Sequence, residues 1–230
     1  KRPSKTADIC KLATTIIVGN SYLAQYAKQY AKNVFIIPTT IDTNYHKPIE
    51  KTIDNNDSVI IGWTGTSTTL KHLATIQSTL SNLKNRYGDR VKLIIIADVS
   101  PEIEDVEFEF VKWSLATEIE QLSRFDIGIM PLPDNQWTRG KCGFKGLQYM
   151  ALKIPSVMSP VGVNNDIITN GKNGYLASTD QEWFDILSTL IENPELRVRI
   201  GKEGRKTVIE NFSVKKCNQT YLEVINGTTN

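Results

Sequence analysis

Short runs of β-branched and aliphatic residues alternate along this chain with longer segments whose apolar positions recur every three or four residues. TTIIVGN (14–20) reads as a strand, and SYLAQYAKQYAK (21–32) as a helix that Asn20 or Ser21 caps. NVFIIPT (33–39) reads as a second strand. Residues 39–58 are polar, hold Pro48 and show no period, which marks a linker. A second series begins with SVIIGWTG (58–65), a strand that ends in glycine. Leu70, Leu73, Ile76, Leu80 and Leu83 follow at helical spacing, predicting one helix over 69–88 that Gly88 stops, with His72 on its surface or in a groove. VKLIIIAD (91–98), FEFVKWS (108–114), DIGIMPL (126–132), PSVMSPVG (155–162) and NGYLAS (173–178) read as further strands. Helices are expected over 118–125, from near Cys142, and over 180–192, 194–211 and 213–225.

Strands that alternate with helices pair in parallel through right-handed crossovers, with helices on both faces. The fold class is α/β, a doubly wound Rossmann-like parallel sheet over about 57–226. The expected division is 1–47 as a shorter unit plus linker and 48–230 as the main domain. The chain opens without Met and reaches its first strand almost at once, so it reads as a piece of something longer.

Composition narrows the chemistry. The 230 residues are 40% hydrophobic and 23% charged, ordinary for a globular chain with a sizeable core. A net charge of +2 argues against nucleic acid as a partner. Cys10, Cys142 and Cys217 are widely spaced and odd in number, and His46 and His72 are the two histidines. Neither a structural zinc site nor a disulfide framework is expected, and a reducing compartment, the cytoplasm, fits best. No apolar run is long enough for a membrane span.

Ligands of open parallel sheets bind beyond the carboxyl ends of the strands. Three segments lie there. In GWTGTSTT (62–69), Gly65, Thr66 and Ser67 offer close backbone approach and hydroxyls, although the spacing is neither a dinucleotide fingerprint nor a Walker loop. In PLPDNQWTRGKCGFKGLQ (131–148), Arg139, Gly140, Lys141 and Lys145 surround the start of a helix on which Lys141, Lys145 and Gln148 are expected to share a side. The helix dipole disfavours cations there, so an anion such as a diphosphate is implied. Asp134 lies close enough in sequence to pair with Arg139. In SPVGVNND (159–166), a turn at Gly162 precedes a helix start at Asn164. Trp113 could stack on a base, although a core indole is the commoner use. Cys142 has no histidine near in sequence to serve as its base.

PSVMSPVGVNNDIITNGKNGYLAS, followed by LIENPELRVRIGKEGRKTVIENFS, resembles the C-terminal half of the group-one, retaining glycosyltransferases with the GT-B fold. The matching features are Pro155 to Asn165, Asn173 to Leu176, Asn193 to Arg197, and Phe212-Ser213, in order. Residues 6–47 are similar to the last strand, helix and strand of that family's N-terminal domain and its linker. The resemblance implies a nucleotide-diphospho-sugar donor bound mainly in residues 48–230, and a glycan or lipid-linked acceptor bound by a domain mostly outside this sequence. Many family members carry Glu-x7-Glu, in which the first glutamate contacts the donor sugar and the second the ribose. Here Gly140 and Gln148 hold those positions, and the arginine usual after the first strand is replaced at Trp63-Thr64.

The resemblance therefore implies a hexosyl-type transferase of glycan or polysaccharide biosynthesis. Lys141 and Lys145 act on the leaving diphosphate, and Gly65, Thr66, Ser67, Trp113, Arg139, Gly140, Gln148, Gly162 and Asn164 bind donor. No cofactor and no metal are expected, since Asp-x-Asp is absent. The isolated piece is expected to be inactive, and the full-length protein to sit in the cytoplasm or at the inner face of a membrane. The alternatives are a non-catalytic nucleotide-sugar-binding module, a nucleotide-sugar epimerase of the same fold and, more distantly, a dinucleotide-dependent oxidoreductase.

Overall fold

The computed structural model describes residues 4–49, 58–104 and 106–227. Its first helix, α1 (Lys5–Leu12), is absent from the sequence reading; it is short and polar, and buries only Ala7 and Cys10, one turn apart. β1 (Ile16–Val18), α2 (Ser21–Ala27) and β2 (Val34–Ile36) follow as expected, with Ile16 opposite Val34 in a parallel pair. Asn20 is the cap of α2: its side chain accepts from Leu23 N at 2.9 Å.

The larger sheet contains β3 (Val59–Thr64), β4 (Val91–Ala97), β5 (Glu109–Lys112), β6 (Ile127–Met130), β7 (Ser156–Met158) and β8 (Tyr175–Leu176). All pairs are parallel, in the order β5-β4-β3-β6-β7-β8. The chain winds outward from β3 to β5, then returns to the other side of β3 at β6. The switch in direction opens a crevice between β3 and β6 at their carboxyl ends.

The predicted helix over 69–88 is broken into α3 (Ser67–Leu70), a 3₁₀ turn (Leu73–Ile76) and α4 (Gln77–Tyr87). A capping box between Thr66 and Thr69 starts the first piece early. The break turns His72 inward, to 4% exposure, which excludes the surface half of the surface-or-groove expectation. Beyond these lie α5 (Glu118–Ser123), α6 (Gln136–Arg139), α7 (Phe144–Ala151), α8 (Asn164–Ile167), α9 (Asp180–Glu192) and α10 (Pro194–Thr207). A π turn (Val208–Phe212) separates α10 from α11 (Val214–Ile225) and ends the helix predicted to reach 211.

Helices cover both faces of the sheet. Along β4, Leu93, Ile95 and Ala97 join Leu80 and Leu83 of α4 and Trp183 and Leu187 of α9 in one buried cluster. Ile94 and Ile96 alternate to the other face, against Leu122, Phe125 and Tyr149. A strand buried on both sides reads as a continuous apolar run, as LIIIA does. Backbone bonds join the segment after β2 to the turn before α11: Ile41 N donates to Phe212 O at 2.7 Å and Val214 N to Ile41 O at 3.1 Å. Cys217 and Val224 of α11 then pack on Ile37, Ile17 and Phe35. The last helix, placed by sequence with the larger unit, thus rests on the smaller one.

Candidate active site

Two segments form the walls of the crevice. After β3, Gly65 N donates to Ile96 O at 3.0 Å. A Cβ on Gly65 would overlap the Trp63 indole and come within 2.7 Å of Thr69 Oγ1, so its own neighbours already require glycine there. The hydroxyls beyond it are engaged locally. Thr66 Oγ1 lies 2.9 Å from Thr68 Oγ1, and Ser67 donates to Asp98 through N at 2.6 Å and Oγ at 3.0 Å.

After β6, α6 is closed by a capping box between Asn135 and Thr138. Arg139 is committed to Asp134 through Nε at 2.6 Å and Nη2 at 2.9 Å, the local pair foreseen from sequence. Gly143 takes a left-handed φ of 69° and α7 starts only at Phe144. Lys141 therefore precedes the helix and does not share a helical face with Lys145 and Gln148, contrary to the sequence expectation. The turn brings it close nonetheless. The Lys145 ammonium stands 5.4 Å from the centre of the Trp63 ring, and the Lys141 ammonium 5.8 Å from that of Trp137. Burial, reinforced by Lys141, pulls the Lys145 pKa down to about 8. Burial also holds His72 below its ordinary value, with Lys141, Lys71 and Lys145 acting in the same direction. His72 Nε2 is buried without a hydrogen-bond partner. Among the described residues, neither Lys141 nor Lys145 is paired with a carboxylate.

The shorter unit supports this loop. Asn20 Nδ2 donates to Lys141 O at 3.0 Å and to Arg139 O at 3.5 Å. A Cβ on Gly140 would lie 3.5 Å from Leu23 Cδ2. From the other side, Gly162 (φ 56°) presses on the Arg139 backbone, and Asn164 Nδ2 ties down Ser159 O at 2.9 Å while its buried Oδ1 has no partner. Gly140, Gly162 and Asn164 thus shape the loop that carries the lysines.

Toward β5 the crevice ends in a polar network. Trp113 is 43% exposed, so the core reading fails; its Nε1 donates to Glu118 Oε1 at 3.1 Å. Gln148 is buried, its Nε2 lying 3.3 Å from both Glu118 Oε1 and His46 Nε2. Tyr45 OH donates to Glu118 Oε2 at 3.3 Å. Sequence reasoning missed Glu118, Tyr45 and His46. The one available signal for Glu118 was its place at the first turn of a helix that follows a strand end.

Tyr149 locks the crevice floor. Its hydroxyl accepts from Thr64 N at 3.0 Å and donates to Ile129 O at 3.4 Å, linking β3 and β6, and burial pushes its pKa upward. Tyr149→Phe would leave the Thr64 amide unpaired in the interior. The expected cost is about 1–3 kcal/mol in urea unfolding; an unchanged midpoint would mean the amide finds another acceptor. Concavities of 630 and 590 Å³ lie at the opposite, amino ends of the strands, beside Val91 and Asp126. The crevice is preferred because ligands of open sheets sit at carboxyl ends.

A doubly wound parallel sheet carries two cations without carboxylate partners, among the described residues, beside its switch point. Among the described residues no group of three or more His, Cys, Asp or Glu could hold a metal, and no helix is long and apolar enough to cross a membrane. The profile of the group 1 glycosyl transferases matches residues 58–193, and the chain belongs to that family. It is 24% identical, over 228 residues, to a probable sucrose-phosphate synthase of Thermosipho melanesiensis, covering 90% of this chain and 50% of that protein. The chain thus spans half the length of that relative. The C-terminal domain of the group 1 glycosyl transferase LpcC from Francisella tularensis superposes with a TM-score of 0.63 at 20% identity, covering 76% of this chain and 99% of that one. Anabaena HepE, crystallised with UDP and glucose, superposes with a TM-score of 0.76 at 16% identity, covering 97% of this chain and 66% of that one. The sheet is that of the second half of a GT-B glycosyltransferase.

Proposed function

We propose that this chain is the donor-binding part of a glycosyltransferase. It holds a nucleotide-diphospho-sugar in the β3–β6 crevice, and the whole protein transfers the sugar to a glycan or lipid-linked acceptor. The observation that carries the reading is the cluster of Lys141 and Lys145, without carboxylate partners among the described residues, around a buried His72. Two ammonium groups held together this way repel each other and call for an anion.

Departure of a nucleoside diphosphate concentrates negative charge on its phosphate oxygens while the sugar becomes oxocarbenium-like. Fixed cations that meet the growing charge lower that barrier, because they need not reorganise as it forms. Lys145, half-buried over the Trp63 ring, is the better placed of the two; Lys141, beside the Trp137 ring, adds a second charge. The nucleoside extends from there toward Trp113, whose exposed ring offers a base a stacking face. The Glu118 carboxylate has room for a hydroxyl donor beside its three protein partners. Gln148, whose amide is already engaged by Glu118 and His46, positions that carboxylate. The loop Gly65–Ser67 borders the phosphates from the β3 side. This scheme uses no metal, and the three free cysteines fit a reducing compartment such as the cytoplasm.

Calorimetric titration of the chain with UDP, GDP and ADP tests the reading. One of them is expected to bind in the micromolar to millimolar range and to weaken as salt is raised. Failure of all three at low salt would remove the donor assignment.

A further inference from the structure

Trp137 is 74% exposed, more than any other tryptophan or tyrosine on the molecule's described exposed surface. It is not a loose side chain. α6, which carries it, is closed by the Asn135–Thr138 capping box, held by the Arg139–Asp134 pair, and supported through Asn20 on the following carbonyls. A large indole left in water on a fixed support loses the burial that ordinarily stabilises it. Its surroundings are polar: Asn135, Gln136, Asp134 and Lys141 flank it. That is not the contiguous apolar patch a protein or lipid partner covers.

Its position relative to the cations is informative. The Lys141 ammonium lies 5.8 Å from the Trp137 ring centre and is itself close enough to Lys145 to depress its proton affinity. Lys141 therefore links the indole to Lys145, the cation assigned above to the diphosphate. A group joined to the terminal phosphate, or a group about to react with it, falls within reach of the ring.

We propose that Trp137 is a stacking platform for a sugar ring at the point of transfer. The apolar C–H face of a pyranose lies on the indole, while its hydroxyls meet Gln136, Asp134 and Lys141 around the rim. This rests on the donor-binding reading above. The sugar has two possible sources, the donor's glycosyl group and the acceptor's terminal residue, and both present the same chemistry.

The test compares Trp137→Ala and Trp137→Phe with the parent chain by calorimetry. The nucleoside diphosphate that binds is titrated first, then its glucose conjugate, then a methyl glucoside series with the diphosphate saturating. The indole is exposed and buries little, so both variants are expected to fold, checked by circular dichroism. The expected result is unchanged diphosphate binding with a three- to tenfold loss, in alanine and less in phenylalanine, for one sugar-bearing ligand. Loss with the conjugate assigns the donor sugar; loss with the glucoside assigns the acceptor. Equal losses for the bare diphosphate and the conjugate, or none for either sugar ligand, would overturn the platform while leaving donor binding intact. A loss confined to vesicle binding or self-association would likewise overturn it. Absence of diphosphate binding in the parent chain would instead remove the reading beneath it.

Discussion

Lys145→Ala weakens nucleoside-diphosphate binding about 100-fold, the largest functional effect expected of any single substitution here. The estimate follows from removing one half of a partly desolvated charge pair, worth roughly 2–5 kcal/mol. Lys141→Ala costs less, about tenfold, because burial makes the Lys145 contact the stronger of the two. The pH dependence carries the same signature. Lys145 in the free protein loses its proton near pH 8. The Lys145 contribution to affinity is therefore constant below that value and falls by up to tenfold per pH unit above it. Lys145→Arg should abolish the decline, since arginine stays charged throughout. Stability moves the other way. The folded pKa of about 8 lies below the value of about 10.4 in an unfolded chain, so between these limits the unfolded state holds more protons. The ligand-free protein then gains stability as pH rises through that window, and Lys145→Met raises its Tm while removing binding. Unchanged affinity in Lys145→Ala would show that the diphosphate lies elsewhere.

Gly201→Ala destabilises the chain by about 3 kcal/mol, by the overpacking of a site that has no room to give. A Cβ on Gly201 would overlap the carbonyl oxygen of Lys153 and lie 2.8 Å from its carbonyl carbon. Both atoms are backbone, in a turn where Lys153 already takes a left-handed φ of 61°. α10 cannot simply slide away, because Arg205, one turn on, donates to Ala151 O and to His46 O, the latter at 2.9 Å. Urea unfolding measures the loss. A cost below about 1 kcal/mol would show that α10 moves more freely than these contacts allow.

The architecture was legible in sequence because it rests on local pattern. VIIGWT and VKLIIIA are apolar on both faces, and the segments between them keep helical spacing, so a parallel sheet covered on both sides follows from periodicity alone. The misreadings fall where local rules compete. The apolar spacing from Leu70 to Leu83 fits one helix, but the Thr66–Thr69 capping box and the 3₁₀ turn divide it. Helix α1 escaped because it is only eight residues long and buries just Ala7 and Cys10, too short a stripe to stand out.

The candidate site divides in the same way. Its cations were visible, since Arg139, Lys141 and Lys145 fall within one short loop and helix start. What each cation faces was not. Arg139 turns to Asp134, while Lys145 lies over Trp63, a residue 82 positions earlier in the chain. Glu118, Gln148, Tyr45 and His46 come from three separated segments and meet only when α5, α7 and the linker are packed. By itself the sequence determined the order of strands and helices and the charge of one loop, because backbone periodicity and composition are local properties. Tertiary structure decided which charges are neutralised, which are desolvated and which aromatic rings remain open, because those depend on neighbours that only folding brings within a few ångströms.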